Sequence, residues 1–336
     1  MGLMSRLYQG EVSYDFMGKR RRWYMLSAAL LLISILGLLI RGGFNLGVDF
    51  TGGAVFEFEP TRATTVTEVS EVIGGEIDSD PRVEKIGGGV GSYRVKTKSL
   101  SGAEVDAVST AISREFGVQA EDINPTSVSP TWGDQITRKA LLGLFVFLAA
   151  VIIYISVRFE PKMAIASIAA LFHDILITAG IYAIVGFEVT PSTVIAFLTI
   201  LGYSLYDNIV VFDKVAENTK GLAGSSKMTY EAAANLSINQ TIMRSINTTL
   251  TSLLPVGSLL FVGVFLLGAG SLKDLSLSLF VGMAAGAYSS VFFATPLLVD
   301  MKEREPQFQA LRSRVAARQA SVARGEVATA TAGGSA

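Results

Sequence analysis

The sequence contains no cysteine, which excludes disulfides, thiolate metal sites and cysteine nucleophiles. Charge is scarce as well. Only 17% of residues are Asp, Glu, Lys or Arg, where soluble domains carry about a quarter. The formal net charge is −1, so a nucleic-acid role has no electrostatic footprint. Half of the residues are hydrophobic, and mean hydropathy is positive. They come in long blocks rather than at helix or strand period, the pattern of a chain whose solvent is lipid.

The first block runs without a charge from Trp23 to Ile40, behind the basic run Lys19–Arg22. It is long for the apolar region of a signal peptide, and Leu39-Ile40-Arg41-Gly42-Gly43 offers no small-residue cleavage site. We read it as an uncleaved anchor. Five further blocks follow: Ala140–Val157, Met163–Val185, Pro191–Phe212, Thr248–Ala269 and Leu275–Val299. At about 1.5 Å per residue each can cross the roughly 30 Å of a hydrocarbon core. Pro191 falls in a first helical turn, where its missing N–H costs nothing, whereas Pro255 falls inside the fifth block and predicts a kink.

Placing the N-terminus inside puts Arg6, Lys19–Arg22, Arg158, Lys162, Lys214, Lys220, Lys227 and Arg244 on the cytoplasmic side. Lys302, Arg304, Arg312, Arg314, Arg318 and Arg324 of the tail join them there. The short outer connections Gly186–Thr190 and Gly270–Asp274 then carry only Lys273. This bias predicts a multi-pass protein of the cytoplasmic membrane with both termini inside.

The resulting plan is a cytoplasmic N-terminus (1–22), a first transmembrane helix (23–41), one extracytoplasmic domain (42–138), five more helices (139–300) and a cytoplasmic tail (301–336). The tail turns from charged to Ala, Thr, Gly and Ser, which predicts disorder. In the outer domain Val55-Phe56-Glu57-Phe58-Glu59 alternates like a half-buried strand, and Thr64–Ile73 and Ala103–Phe116 read as amphipathic helices. Arg82–Ile86 and Tyr93–Lys98, joined by glycines, read as a hairpin, with a last strand near Ile123–Val128. Strand, helix, strand, strand, helix, strand is the order of a ferredoxin-like α+β domain. The fold class is therefore an α-helical integral membrane protein, six transmembrane helices with an inserted ferredoxin-like domain.

Ionisable groups inside hydrocarbon are costly and mark function by default. His173 and Asp174 lie mid-way along the third span, Asp207 on the inner half of the fourth, and Arg244 just before the fifth apolar block. Tyr203, Asp207, Val210 and Lys214 share one helical face. Two readings of Asp207 and Arg244 stand side by side: a static pair that locks two helices, or a carboxylate that exchanges protons as an arginine approaches and withdraws. His173 also reads as a satisfied structural donor. The glycines Gly47, Gly52 and Gly53 around Asp49 do not form G-x-G-x-x-G and serve tight turns rather than phosphate. Gly282 and Gly286, four apart, suit close helix packing.

Three stretches together resemble a known family. They are Gly47-Val48-Asp49-Phe50-Thr51-Gly52-Gly53 after the first span, His173-Asp174 in the third, and the run from Gly202 through Asp207 to Asn218 in the fourth. With the order of spans and the single outer domain, they resemble the SecF branch of the SecD/SecF family, within the resistance-nodulation-division superfamily. SecD chains carry a much larger outer region. The resemblance implies a subunit that works with SecD beside the SecYEG channel, and indirectly with SecA. It would assist export of polypeptide across the membrane at the expense of the proton motive force, as neither an enzyme nor a cofactor protein. It also implies that Asp207 binds the proton, with Arg244 as its partner and Asp174 and His173 in the same relay. The connection around Leu222–Lys227 is slightly longer here than is usual for the family.

Two rivals come from other classes. A small-molecule exporter of the same superfamily would carry two six-span halves and two large outer domains. An intramembrane aspartyl protease would need Asp174 and Asp207 as a dyad sharing one proton, and its G-x-G-D context is absent because Asp207 follows Leu205-Tyr206.

The orientation is open to a direct check. Protease added to intact spheroplasts is expected to cut within 42–139 and to spare the tail; cutting of the tail instead would reverse the topology.

Overall fold

In a computed structural model the described residues are 14–77, 79–87, 91–264, 266 and 272–333. Six helical segments among them are long and apolar enough to cross a membrane. The first is α1 (Arg20–Ile40), followed by a two-residue strand β1 (Asn45–Leu46) and a one-turn helix α2 (Val48–Thr51). The outer domain comprises β2 (Gly53–Phe58), α3 (Val66–Glu76), β3 (Arg82–Ile86), β4 (Ser92–Thr97), α4 (Gly102–Phe116) and β5 (Asn124–Val128). The chain then returns through α5 (Pro130–Arg158), α6 (Pro161–Val185), a second short strand β6 (Glu188–Val189), α7 (Pro191–Thr219) and α8 (Tyr230–Ser258). It ends in α9 (Lys273–Ser289), α10 (Thr295–Glu303) and α11 (Pro306–Gly333).

Helix starts follow from local chemistry. Ser129 caps α5 through the Trp132 N–H, and Pro130 occupies the first turn. Thr190 and Thr193 form a reciprocal box at the start of α7, again with Pro191 behind it. Gly186 ends α6 with φ at +81°, a conformation that costs glycine nothing. Two stretches depart from α geometry. Beyond Pro255, α8 passes into a π turn over Leu259–Val264, and α9 and α10 are joined by a π turn over Ser290–Ala294.

The helices are not equivalent. In the third span 56% of the apolar window is buried, against 11% in the first and second and 6% in the fifth. The third span α6 is therefore the axis of the bundle, and α8 is peripheral. Small residues set the closest approaches. A Cβ on Gly180 of α6 would lie 2.1 Å from Ser34 Cβ of α1, and one on Gly282 of α9 would lie 2.2 Å from Ile200 of α7. Gly286 meets Ser204 in the same α9–α7 contact.

The apolar run led us to expect the fifth helix from Thr248, whereas α8 begins at Tyr230. Its polar first half is satisfied from within the protein. Asn239 and Asn235 accept the Tyr14 and Phe16 N–H groups at 2.8 Å, and Asn218 donates to Ser237 and Gln240 at 2.8 and 2.9 Å. The tail also differs from the disordered segment expected over 301–336. Phe308, Leu311 and Val315, at helical spacing, bury one face of α11 in the main core, with the Phe308 ring 4.7 Å from that of Tyr230. Arg318 adds a hydrogen bond to the Ser226 carbonyl at 3.3 Å. An apolar stripe that short is masked by the surrounding charge.

The outer domain is a four-stranded antiparallel sheet in the order β3-β4-β2-β5, with α3 and α4 covering one face. Phe56 opposite Val95 and Phe58 opposite Tyr93 point into that core together with Val69, Ile73, Ile112 and Phe116. Ser101 and Glu104 form a capping box on α4, and Gly117 closes it in the left-handed region. The glycines linking β3 to β4 fall partly outside the described residues.

The domain is tied down at its base. β1 pairs in parallel with β6, and the Gly47 N–H reaches the Val189 carbonyl at 2.9 Å. Gly52 sits at φ +78° with its missing Cβ 2.9 Å from Pro130 backbone, so any side chain there is blocked twice. Charges complete the joint. Lys96 pairs with Glu188 and, at 3.2 Å, with Glu84, which takes Lys273 of α9 at 3.0 Å. Burial pushes the Glu84 carboxyl up, but Lys96 and Lys273 outweigh it and hold the group below its ordinary range.

Gly180→Ala is expected to lower the thermal unfolding midpoint of the solubilised protein, by the equivalent of about 2 kcal/mol of overpacking. Gly202→Ala, with nothing within 4 Å of its added Cβ, is expected to be neutral. Because its folded-state pKa is depressed, Glu84 stabilises the joint above its unfolded pKa of about 4.3 and loses that contribution as pH falls through the lower folded value. Glu84→Gln is thus expected to weaken hydrogen-exchange protection of β3 and β4 at neutral pH by about 1 kcal/mol. Its difference from the unsubstituted protein should close only as pH falls below the depressed folded value.

Candidate functional site: two buried aspartates

Asp174 on α6 and Asp207 on α7 are 0% and 3% exposed. A carboxylate out of water needs donors, and both obtain them from serines. Asp174 Oδ2 accepts from Ser204 Oγ of α7 at 2.5 Å and from Ser289 Oγ of α9 at 2.8 Å. Asp207 Oδ1 accepts from Ser245 Oγ of α8 at 2.7 Å, and its Oδ2 from Ser290 Oγ of the π turn. Four elements thus converge on two carboxyl groups, and no described hydrogen bond joins the carboxyls directly. The dyad geometry of an aspartyl protease, in which two carboxyls share one proton, is not what these contacts build.

His173 lies beside Asp174 with Nδ1 3.2 Å from Oδ1. Its ring stacks on Phe293 at 4.5 Å, and Nε2 has no hydrogen-bond partner. With the Asp174 carboxyl as acceptor, the Nδ1 tautomer satisfies this contact. Asn208, next to Asp207, is likewise fully buried with neither amide atom bonded.

Arg244 does not pair with Asp207. Its Nη2 donates to the Tyr206 hydroxyl at 3.1 Å on the exposed side of α7 and α8, and no ion pair within 4.0 Å involves Asp207 among the described residues. The contacts are in step: Tyr206 faces Arg244 outside while Asp207 faces Ser245 inside. Asp207 meets Ser245 rather than its neighbour Arg244 in this structure, because adjacent positions on a helix point about 100° apart. Lys214, on the shared face with Asp207, pairs with Glu217 at 2.9 Å instead. Tyr203 donates to Thr249 at 3.0 Å.

The serines were not singled out from the sequence. A serine in an apolar helix can bond its own backbone at little cost, so it carries no warning of the kind a charge does. The consecutive pair Ser289-Ser290, both fully buried, was the available signal.

Comparison with known proteins identifies the family. Residues 108–304 match the family model described as protein export membrane protein SecD/SecF, C-terminal, and residues 37–63 match the SecD/SecF GG motif. The chain is 49% identical to the protein translocase subunit SecF of Streptomyces coelicolor, over 97% of this chain and 87% of that protein. It is 45% identical to SecF of Mycobacterium tuberculosis, over 90% and 70%. Among solved structures it is similar to Thermus thermophilus SecDF, a translocon-associated membrane protein, with a TM-score of 0.77 at 30% identity. That match covers 90% of this chain and 40% of the SecDF chain. A second SecDF structure, in a super-membrane-facing form, gives 0.63. Both matched segments include the features described above, the GG loop docked on β6 and the aspartates on α6 and α7, and the chain belongs to the SecD/SecF family of protein export membrane proteins.

Proposed function

We propose that this chain is a SecF-type subunit of a protein translocase that couples proton uptake and release in its helix bundle to polypeptide export. It works with a SecD partner in the cytoplasmic membrane, both termini inside, beside SecYEG and indirectly with SecA. Proteins named SecDF carry a segment similar to this chain as about 40% of their length, which supports a SecD partner for a chain that spans only the SecF portion.

The observation that carries the reading is the state of Asp207: buried, held by two hydroxyls, and without a cation within ion-pair distance. A locked structural pair would show a counter-charge, because an uncompensated buried carboxylate is costly. A group that changes charge during a cycle needs neutral donors that serve both forms, and hydroxyls do so since they donate and accept. Arg244, one residue from Ser245 and outside the site, is then a charge that conformational change can bring to or remove from Asp207. A proton falling through about 100 mV supplies about 2.3 kcal/mol, enough to bias such a change. No cofactor is required in this scheme, and no bond is made or broken apart from those to protons.

Asp207→Asn is the test. Asn still accepts one serine hydroxyl, so stability is expected to fall by no more than about 1–2 kcal/mol, with normal accumulation and retention of the SecD-like partner. Stimulation of export by an imposed proton gradient is expected to be lost. Gradient-dependent export at the unsubstituted rate would remove Asp207 from the mechanism.

A further inference from the structure

We infer that Ser289 and Ser290 are positioning residues that join Asp174 and Asp207 into one responsive unit, so that the protonation of either carboxyl is felt at the other. The inference rests on the proton-handling reading above and adds to it the element that registers the proton.

The two serines are consecutive, fully buried, and stand at the junction where α9 passes into the π turn. Ser289 binds Asp174 and Ser290 binds Asp207. A second link closes the circuit: Ser204, which binds Asp174, lies one turn before Asp207 on α7. The path Asp174, Ser289-Ser290, Asp207, Ser204 and back to Asp174 is a ring built from α6, α7 and the α9 junction alone.

Each serine of the pair has two acceptors and one proton. Ser289 Oγ lies 2.8 Å from Asp174 Oδ2 and 3.2 Å from the Gly286 carbonyl. Ser290 Oγ likewise meets Asp207 and, at 3.3 Å, the Ala287 carbonyl. Toward a carboxylate the hydroxyl proton points at the charge, the stronger acceptor. Toward a neutral acid the carboxyl O–H becomes the donor, the serine oxygen accepts, and the serine proton turns to its own helix carbonyl. Because the serines are neighbours on one backbone, a change at one shifts the other. The π turn gives room for that shift, since its wider winding leaves the Ser290 carbonyl to Thr295 Oγ1 at 3.0 Å.

The other charged and titratable groups around the ring are His173 against Asp174, Tyr288 stacked near His173 and bonded to Ser27 of α1, and Tyr203, Tyr206 and Arg244 on the α7–α8 side. Among the described residues none but His173 lies within hydrogen-bonding distance of either carboxyl.

The experiment is an infrared titration of the carboxylic acid C=O bands in the full-length protein, reconstituted in lipid with its SecD-like partner. Asp174→Asn and Asp207→Asn assign the bands. Ser289→Ala is expected to shift the midpoint of the Asp207 band, a group it does not touch, by about half a pH unit, comparable to one hydrogen bond. Ser290→Ala is expected to do the same to Asp174. Asp174→Asn should itself move the Asp207 midpoint, and this dependence should disappear in Ser289→Ala. Ser289→Thr, which keeps the hydroxyl, should restore it. If each alanine shifts only the aspartate it touches, or neither, the pair is a set of independent donors and the inference fails while the proton reading stands. If no carboxyl band titrates at all, both fall. Should an alanine variant not fold, the Asp174→Asn dependence alone decides.

Discussion

The bundle is arranged around two buried carboxyl groups. Packed helices bury Asp174 and Asp207 with no Lys or Arg in ion-pair contact among the described residues, so each draws on hydroxyls delivered from neighbouring helices. That dependence sets the packing. Ser204 can reach Asp174 only if α6 and α7 lie close, and Ser289 only if α9 closes over both. The glycines at 282 and 286 let α9 do so, one against Ile200 and the other against Ser204 itself. In such a site hydrogen bonds are not decoration on a hydrophobic core. They specify which helix faces which, because the alternative registers leave a buried carboxylate without a donor.

On the proposed reading, the choice of serine over a cation lets the site do more than fasten helices. An arginine or lysine at the same place would stabilise only the carboxylate and hold it in one state. A hydroxyl serves the ionised and the neutral acid with the same atoms, so the cost of changing state is a rotation rather than a repacking. His173 adds its Nδ1 to the Asp174 side of the site. The guanidinium of Arg244, by contrast, is kept on the outer surface with Tyr206, outside hydrogen-bonding contact with the carboxyl.

Much of this was legible in the sequence, and the reasons for what was not are physical. The apolar blocks announced all six spans because lipid imposes a length and a composition that nothing else imposes. Asp174, His173, Asp207 and Arg244 stood out because charge in such blocks is expensive. Asp207 and Arg244 were paired on depth and on the family resemblance, whereas in this structure a rotation of one residue about α8 turns the arginine outward and brings Ser245 in. The start of α8 was missed because its polar residues are satisfied by backbone from residues 14–17 and by α7, contacts with no sequence signal. The helical tail was missed for a related reason: its three buried apolar residues are spaced for a helix but swamped by charge.

One element joins the outer domain to the middle of the bundle. At its start α9 carries Lys273, held by Glu84 of the outer domain, and at its end it carries Ser289, held by Asp174 in the bundle. Its 17 residues span about 26 Å at 1.5 Å per residue. The Glu84 side of the joint is also tied through Lys96 to Glu188, in the connection between α6 and α7, the helices that carry the aspartates. A packed helix of this length transmits displacement as a rigid body better than it absorbs it. The two π turns, one following α8 and one following α9, are where winding can change without breaking a span. A shift of the hydroxyl pattern at Ser289 and Ser290 is therefore a shift at the inner end of a rod whose outer end is clasped by the outer domain. The charged joint at the base of the sheet and the serine pair in the membrane are two grips on one helix, and the helix is stiff between them.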